Sequence, residues 1–494
     1  MTQGTDILGK LVPLEPLDLA KCRTVSEIVR GMSRCSFGAR MLGEVADTLC
    51  SHIKSGNKPY LVSDISRGHP LRPLLETMCN KLHWFHRPMI TKTLKTYGAT
   101  LAPVVIVGQY DQYNEKELYA NLQDDRMVFV NGIYQCRPGQ VRDGYFPDVV
   151  FADENLVMPI LYLVLKERLT GETHGVVDLM RLLEQYDGTA KETVHGAYTL
   201  HKMLADKDST NMFTVSGAMT IGKMQLLVAD LIETGRIHYV AATGALMAHG
   251  LIEGSGCKHY KYDPSVSDEV LAAHGLNRVT DSLEPETNFD HIEEIVGAVL
   301  AKYDGHRTRG SNEFYHDIGR YIAERYPDVR SILASAYHRD VPIVTPAFID
   351  SELGNDVFVE NLKRRRDGQL KMVFDSELDT EILFKAAASA KRLGIFTIGG
   401  GVPRNNTQNV APLHEIHNKR LGIDEPACSF HYGVRIDPAQ MALGHLSGCT
   451  YSEGSSWRKF DFEGPRAEIR ADATIAWPFI QRFALEKLGF YKTE

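Results

Sequence analysis

Lys459 lies in the run SSWRKF (residues 455–460), beside Trp457 and shortly after Glu453, ahead of the strand-like stretch AEIRADATIAWP (467–478). An ε-amine next to an indole and upstream of a buried-looking segment can be desolvated, lose its proton and attack an electrophilic carbon. Attack near neutral pH requires its pKa to fall from the free value of roughly 10.4. Burial against Trp457 is the force this spacing suggests, with repulsion from the adjacent Arg458 as a second contribution. Glu453 offers a carboxylate to hold a substrate ammonium. The same run also describes a solvated lysine beside a packing tryptophan, because short motifs recur by chance.

Small residues follow apolar runs at three places: Ser216, Gly217 and Ala218; Thr243, Gly244 and Ala245; and Gly399, Gly400 and Gly401. The runs FTVSG, IHYVAATGA, SILASAYH, VPIVTPAF and GIFTIGGG have the continuous apolar character of strands covered on both faces. Helical patterns over 223–233, 289–302 and 313–325 lie between them. That alternation predicts a doubly wound, mostly parallel, Rossmann-like α/β sheet. Ligands of such sheets bind at the carboxyl ends of the strands, where glycine turns let backbone N–H groups meet phosphate. No GxGxxG fingerprint is present and each turn alone fits a plain tight turn, so spacing does not name the ligand.

With 494 residues, 43% of them hydrophobic, the chain can bury a large core in two or three domains. Its formal charge of −8 argues against a nucleic-acid partner and suits polycationic substrates. The basic run Lys363, Arg364, Arg365, Arg366 reads as a solvated or interface patch. Eight scattered cysteines form no CxxC pair and no metal spacing, so no metal site and a reducing cytoplasm are expected. The opening MTQGTDILGKLVPLEP lacks the charge and apolar pattern of an export signal, and no apolar stretch reaches membrane-spanning length.

An internal repeat accounts for the N-terminal third. TVSEIVRGMSRCSFGARMLGEVADTL (24–49) lies without gaps on GVVDLMRLLEQYDGTAKETVHGAYTL (175–200), both with amphipathic helical character. PYLVSDISRGHPL (59–71) lies on MFTVSGAMTIGKM (212–224), and DVVFADENLVMPI (148–160) on AEIRADATIAWPF (467–479). Residues 1–172 thus read as a shortened, degenerate copy of the fold carried by 173–494, the alternative being chance similarity between short α/β segments. Gln140 stands where the second copy has Lys459 and cannot form an imine, and Asp64 stands where it has Gly217, a carboxylate that would repel a pyrophosphate. The first copy is expected to be catalytically silent, a structural or regulatory partner.

Residues 173–494 resemble the deoxyhypusine synthase family through ordered landmarks: FTVSGAMTIGK, YVAATGALMAHG, GLNRVTDSLEPE, VPIVTPAFIDSELG, IFTIGGGVP, LSG with SEGSSWRK, and RADATIAWP. The resemblance implies NAD as cofactor, with contacts from Ser216, Gly217, Ala218, Met219, Thr243, Gly244, Asp350, Gly399, Gly400, Gly401, Ala471 and Asp472. Asp350 and Asp472 also fit a turn residue and a strand-end cap. It assigns Lys459 the imine with the aminobutyl group of a polyamine such as spermidine, with Trp457 and Glu453 beside it. It also implies a homo-oligomer, a tetramer in the family.

Departures from the family pattern bear on the acceptor. Asn405 stands in place of a catalytic histidine, and an amide cannot shuttle protons as imidazole does. Asn355, with Asp356 one step on, replaces a substrate-binding aspartate; Leu446 replaces another. Ala248 and His249 stand near a missing acidic pair, and His249 reads as a satisfied histidine at a helix start. The expected activity is an NAD-dependent aminobutyl transfer to a small amine such as putrescine, giving homospermidine, or to a protein lysine. The alternative is a noncatalytic regulatory or assembly subunit.

Overall fold

The computed structural model describes residues 8–55, 60–63, 104–107, 127–131, 149–439, 441 and 444–491. They fall into two compact units: Leu17–Ala197 with Ile469–Phe483, and Met1–Pro16 with Tyr198–Glu468 and Ala484–Lys492. Asp64 and Gln140 lie outside the described residues.

In the unit built on Leu17–Ala197, β1 (Tyr60–Ser63), β2 (Val104–Val107), β3 (Met127–Asn131) and β4 (Val149–Phe151) form a parallel sheet in chain order. The stretches 24–49 and 175–200 carry similar local elements. Each stretch folds as an eight-residue helix (Val25–Met32; Val176–Leu183) followed by a longer one (Phe37–Lys54; Thr189–Ala205). Both short helices start the same way, the N3 carboxylate accepting the N-cap backbone N–H: Glu27 from Thr24 at 3.1 Å, Asp178 from Gly175 at 3.1 Å. Each such bond satisfies an orphan donor at the helix start, and at Thr24 the cap is reciprocal, its hydroxyl accepting the Glu27 N–H at 3.1 Å.

The stretches 148–160 and 467–479 both run from strand into helix. Asp153 caps the Glu154–Thr170 helix, which contains Pro159; Asp472 accepts the Thr474 N–H at 2.7 Å at the start of the Ala473–Lys487 helix, which contains Pro478. The stretch 467–478 is thus strand only to Ile469 and helix from Ala473. Each of these helix starts also bonds to one of the aligned helix pairs. Asp153 accepts the Thr189 N–H at 3.0 Å, while Thr474 Oγ1 accepts the Ala39 N–H at 3.0 Å. A Cβ on Gly38 would sit 2.5 Å from the Asp472 carboxylate.

The other unit holds a six-stranded sheet in the order β10-β6-β5-β11-β12-β13. Its strands are β5 (Ser209–Val215), β6 (Tyr239–Ala242), β10 (Ile343–Val344), β11 (Arg392–Ile398), β12 (Phe430–Ile436) and β13 (Arg466–Ile469). The pairs β10·β6, β6·β5, β5·β11 and β11·β12 are parallel. Buried Met212, Ala241, Ile395, Phe430, Tyr451 and Phe460 build part of its core, which is why the strands read as continuous apolar runs. A three-stranded antiparallel sheet, β7 (Tyr260–Lys261), β9 (Ser282–Pro285) and β8 (Leu276–Val279), stands apart from it. The run SILASAYH is a helix, Ile332–Arg339, because Ser331 caps it by accepting the Ala334 N–H and the alanines favour that state. Among the described residues no helix is long and apolar enough to cross a membrane.

Candidate functional site

Register brings the three small-residue turns together. Val215 pairs with Ile398 on one side and with Ala242 on the other, so β5, β6 and β11 end level. Their turns are then stitched to one another. Ser216 N–H donates to the Ile398 carbonyl at 3.0 Å, Gly400 N–H donates to Ser216 Oγ at 3.0 Å, and Thr243 N–H donates to the Val215 carbonyl at 3.3 Å. Gly217, Gly399 and Gly401 hold φ of 78°, 75° and 64°, which a side chain would strain. A Cβ on Gly244 would overlap the Ser351 side chain and come 2.9 Å from the Asp350 carbonyl oxygen.

The result is a cleft of about 500 Å³ whose lining includes Ser216, Gly217, Ala218, Thr243, Gly244, Asp350, Asn355 and Gly401. Two helices, Gly244–Gly254 and Gly401–Gln408, start at this lining, and neither has a side-chain cap bond. Their first-turn N–H groups are suited to an anion. Of the residues expected to meet a dinucleotide, Met219 follows directly on the lining, and Gly399 and Gly400 tie to Ser216. Ala471 and Asp472 belong to the other unit, where Ala471 is buried and Asp472 accepts from the Thr474 N–H and hydroxyl.

The Gly401–Gln408 helix links this cleft to the lysine. One turn after Gly401 it presents Asn405, whose Oδ1 accepts a hydrogen bond from Lys459 Nζ at 3.0 Å. Lys459 is only 8% exposed. The short Tyr451–Ser456 helix, capped by Thr450, ends in a tight turn with Arg458 at φ 56°. Lys459 N–H then bonds to the Gly454 carbonyl and its own carbonyl to Phe430 N–H, which fixes the side chain's origin against β12.

Burial is the main force holding the Lys459 amine below the usual lysine range; nearby Arg404 adds to it, and Cys449 and Glu453 oppose it. The cause differs from the one read off the sequence. Trp457 is 60% exposed, and Arg458 extends to Glu415 at 3.1 Å. The repelling cation is Arg404, buried beside Asn405, donating to the Ser447 and Cys449 carbonyls and itself pushed down by burial and by Arg435. Its place next to Asn405 in GGGVPRNN was the available signal. Glu453 is exposed in the first turn of the Tyr451–Ser456 helix.

The deoxyhypusine synthase family model matches residues 178–483. The chain belongs to the deoxyhypusine synthase family. The family's chemistry is aminobutyl transfer. The protein named "Probable deoxyhypusine synthase 2" of Methanosarcina mazei is 32% identical over 264 residues, 53% of this chain and 73% of that one. A deoxyhypusine synthase-like protein of Chlorobaculum tepidum is 32% identical over 266 residues, again 53% and 73%. One from Coxiella burnetii is 28% identical over 268 residues, 54% and 73%.

The positions where this deoxyhypusine synthase family member departs from the family pattern have distinct fates. Asn405 meets the lysine directly. Asn355 lines the cleft, while Asp356 is pushed up to about 6, first by burial and then by Glu293 and Glu352. Leu446 is exposed. His249 lies inside the Gly244–Gly254 helix, buried, with its Nδ1 3.1 Å from Glu284.

Proposed function

We propose that this chain transfers the aminobutyl group of spermidine or a similar polyamine to an acceptor amine through an imine on Lys459, with NAD as cofactor. The observation that carries the reading is the buried Lys459 Nζ, 3.0 Å from an uncharged acceptor on the helix whose first residue lines the glycine cleft.

The residues fit a dinucleotide. Gly217, Gly399 and Gly401 open the cleft at positive φ, the two helix starts offer N–H groups for phosphates, and Asp350 brings a carboxylate to the lining that could accept from a ribose hydroxyl. When bound, NAD supplies the acceptor for a hydride from the donor carbon and returns that hydride at the end. The chain's own residues handle the amines. Burial and Arg404 keep Lys459 uncharged for part of the time, so its lone pair can add to the oxidised donor carbon and the donor's remaining diamine leaves. The acceptor amine then displaces the lysine, restoring it. Asn405 orients the nucleophile by accepting its N–H, and its amide leaves the proton to water or to the incoming amine.

With Asn355 and Leu446 in place of carboxylates and Asp356 pushed toward its neutral form, the amine-binding region carries little negative charge. The acceptor in this reading is a small amine such as putrescine, giving homospermidine, or a protein lysine. Residues 1–172 act in this reading as a noncatalytic partner copy fused to 173–494, in a homo-oligomer. The similar helix pairs and the Asp153–Thr189 and Thr474–Ala39 bonds support the partner-copy part of this reading.

The test is borohydride reduction after incubation with spermidine and NAD, followed by mass mapping of peptides. An aminobutyl adduct on Lys459 is expected, absent in Lys459→Arg, with homospermidine among the products when putrescine is present. No adduct under conditions that trap an active deoxyhypusine synthase would sink the transferase reading in favour of a regulatory subunit.

A further inference from the structure

A second polar cluster lies buried in the same unit, away from the glycine turns. His249 sits in the Gly244–Gly254 helix, His259 directly precedes β7, and Glu284 lies on β9. Three separate elements therefore converge on one point. His249 Nδ1 is 3.1 Å from Glu284 Oε2 and 3.4 Å from His259 Nε2, and His259 Nε2 bonds to the same carboxylate oxygen. All three side chains are buried, His259 completely.

These separations match a coordination polyhedron. Ligand atoms at ~2.0–2.1 Å from a tetrahedral ion stand about 3.3 Å apart, the spacing of two of the three edges here. The third edge is closed by a hydrogen bond, which an ion would replace and widen.

The surroundings have the form of an outer shell. His259 Nδ1 lies 2.6 Å from Glu253 Oε1, so the imidazole is held through its far nitrogen by a carboxylate, as metal-bound histidines usually are. Glu253 is in turn anchored by Lys223 and by Gln225 at 3.1 Å. Asn288 holds the other Glu284 oxygen and the Lys258 carbonyl, so that carboxylate too is oriented.

We propose that His249 Nδ1, His259 Nε2 and Glu284 Oε2 bind one divalent ion of the zinc class, which pins the Gly244–Gly254 helix to β9 and to the entry of β7. Two imidazoles and one carboxylate suit zinc, with cobalt as its spectroscopic substitute, better than magnesium or calcium. Since the first residue of that helix lines the cleft, the ion would brace the cleft's wall from behind. The binding of the ion does not depend on the transferase reading, and neither does its test.

The full chain, purified without a histidine tag or chelator, is analysed by elemental mass spectrometry, then stripped and titrated with cobalt(II). Expected are about one zinc-class ion per chain, one equivalent of cobalt with the visible bands of a four-coordinate site, and a lower melting temperature once stripped. His249→Ala should weaken binding at least 100-fold in chelator competition, and Glu253→Gln by about 10- to 100-fold, the range for an outer-shell partner. If His249→Ala does not fold, Glu253→Gln and the wild-type stoichiometry decide. A wild-type chain that carries no stoichiometric metal and gives no cobalt bands overturns the proposal. So does a folded His249→Ala that binds cobalt as tightly as wild type.

Discussion

Replacing Asn405 by aspartate puts a full negative charge where the amide oxygen now accepts from Lys459 Nζ at 3.0 Å. At an effective dielectric of about 20, two unit charges at that distance attract by roughly 5 kcal/mol. Asn405 is half-buried, and solvent screening reduces this to about 2–3 kcal/mol, roughly a hundredfold in the protonation equilibrium. The sign is fixed: a carboxylate favours the ammonium, so it opposes the burial and the Arg404 charge that hold the amine down. The uncharged fraction of Lys459 near pH 7 should fall about a hundredfold, and with it the rate of imine capture. The assay is the single-turnover rate of the borohydride-trapped Lys459 adduct, measured with spermidine and NAD across pH. Asn405→Asp should shift the rising limb toward alkaline pH by up to about two units, with the wild-type rate recovered at its far end. Asn405→Leu, which removes the acceptor and adds no charge, should not shift it in that direction. An unshifted limb in a folded Asn405→Asp chain would refute the claim that an uncharged Lys459 at this spot is the nucleophile.

Gly244→Ala forces a methyl group into Ser351 and close to the Asp350 carbonyl, so calorimetry should show NAD binding weakened at least about tenfold; unchanged affinity would remove this glycine from the cleft's design. Asp356 is raised from 3.8 to about 6, so the native state holds its proton more tightly than the unfolded chain, and stability is lost as pH rises through that window. Asp356→Asn should therefore raise the melting temperature above pH 6, on the order of 1 kcal/mol after screening, and have little effect near pH 4. A gain that does not vary with pH would contradict this.

Much of the sheet was legible because its strands are covered on both faces and bounded by small residues. β5, β6 and β11 follow directly from their apolar runs. SILASAYH misled because a short apolar run fits either state, and the deciding feature is the Ser331 cap just outside it. β12 escaped notice since FHYGVRI carries His431 and Arg435. Arg435 is tolerated inside only because the Ser447 and Cys449 carbonyls and Glu468 receive it. The buried imidazoles of His249 and His259 escaped for a similar reason: ten residues separate them, and Glu284 lies another twenty-five on, a spacing that matches no metal motif.

The lysine shows most clearly where local reading stops. SSWRKF picks out the amine, and its neighbours Trp457 and Arg458 supply an explanation for a lowered pKa that the fold does not use. What surrounds the nitrogen comes from Arg404 and Asn405, more than fifty residues upstream. They arrive because β11 ends level with β5 and β6 and its glycine turn launches a helix at that edge. The turn that opens the cleft is thus also the turn that aims Asn405 at Lys459. A Cβ on Gly400 would press to 2.7 Å from Ser447 Oγ, in the LSG segment whose carbonyl Arg404 holds. A side chain at that one position would therefore disturb both the wall of the cleft and the charge that helps keep the amine neutral, so cleft shape and nucleophile reactivity are set by the same few residues.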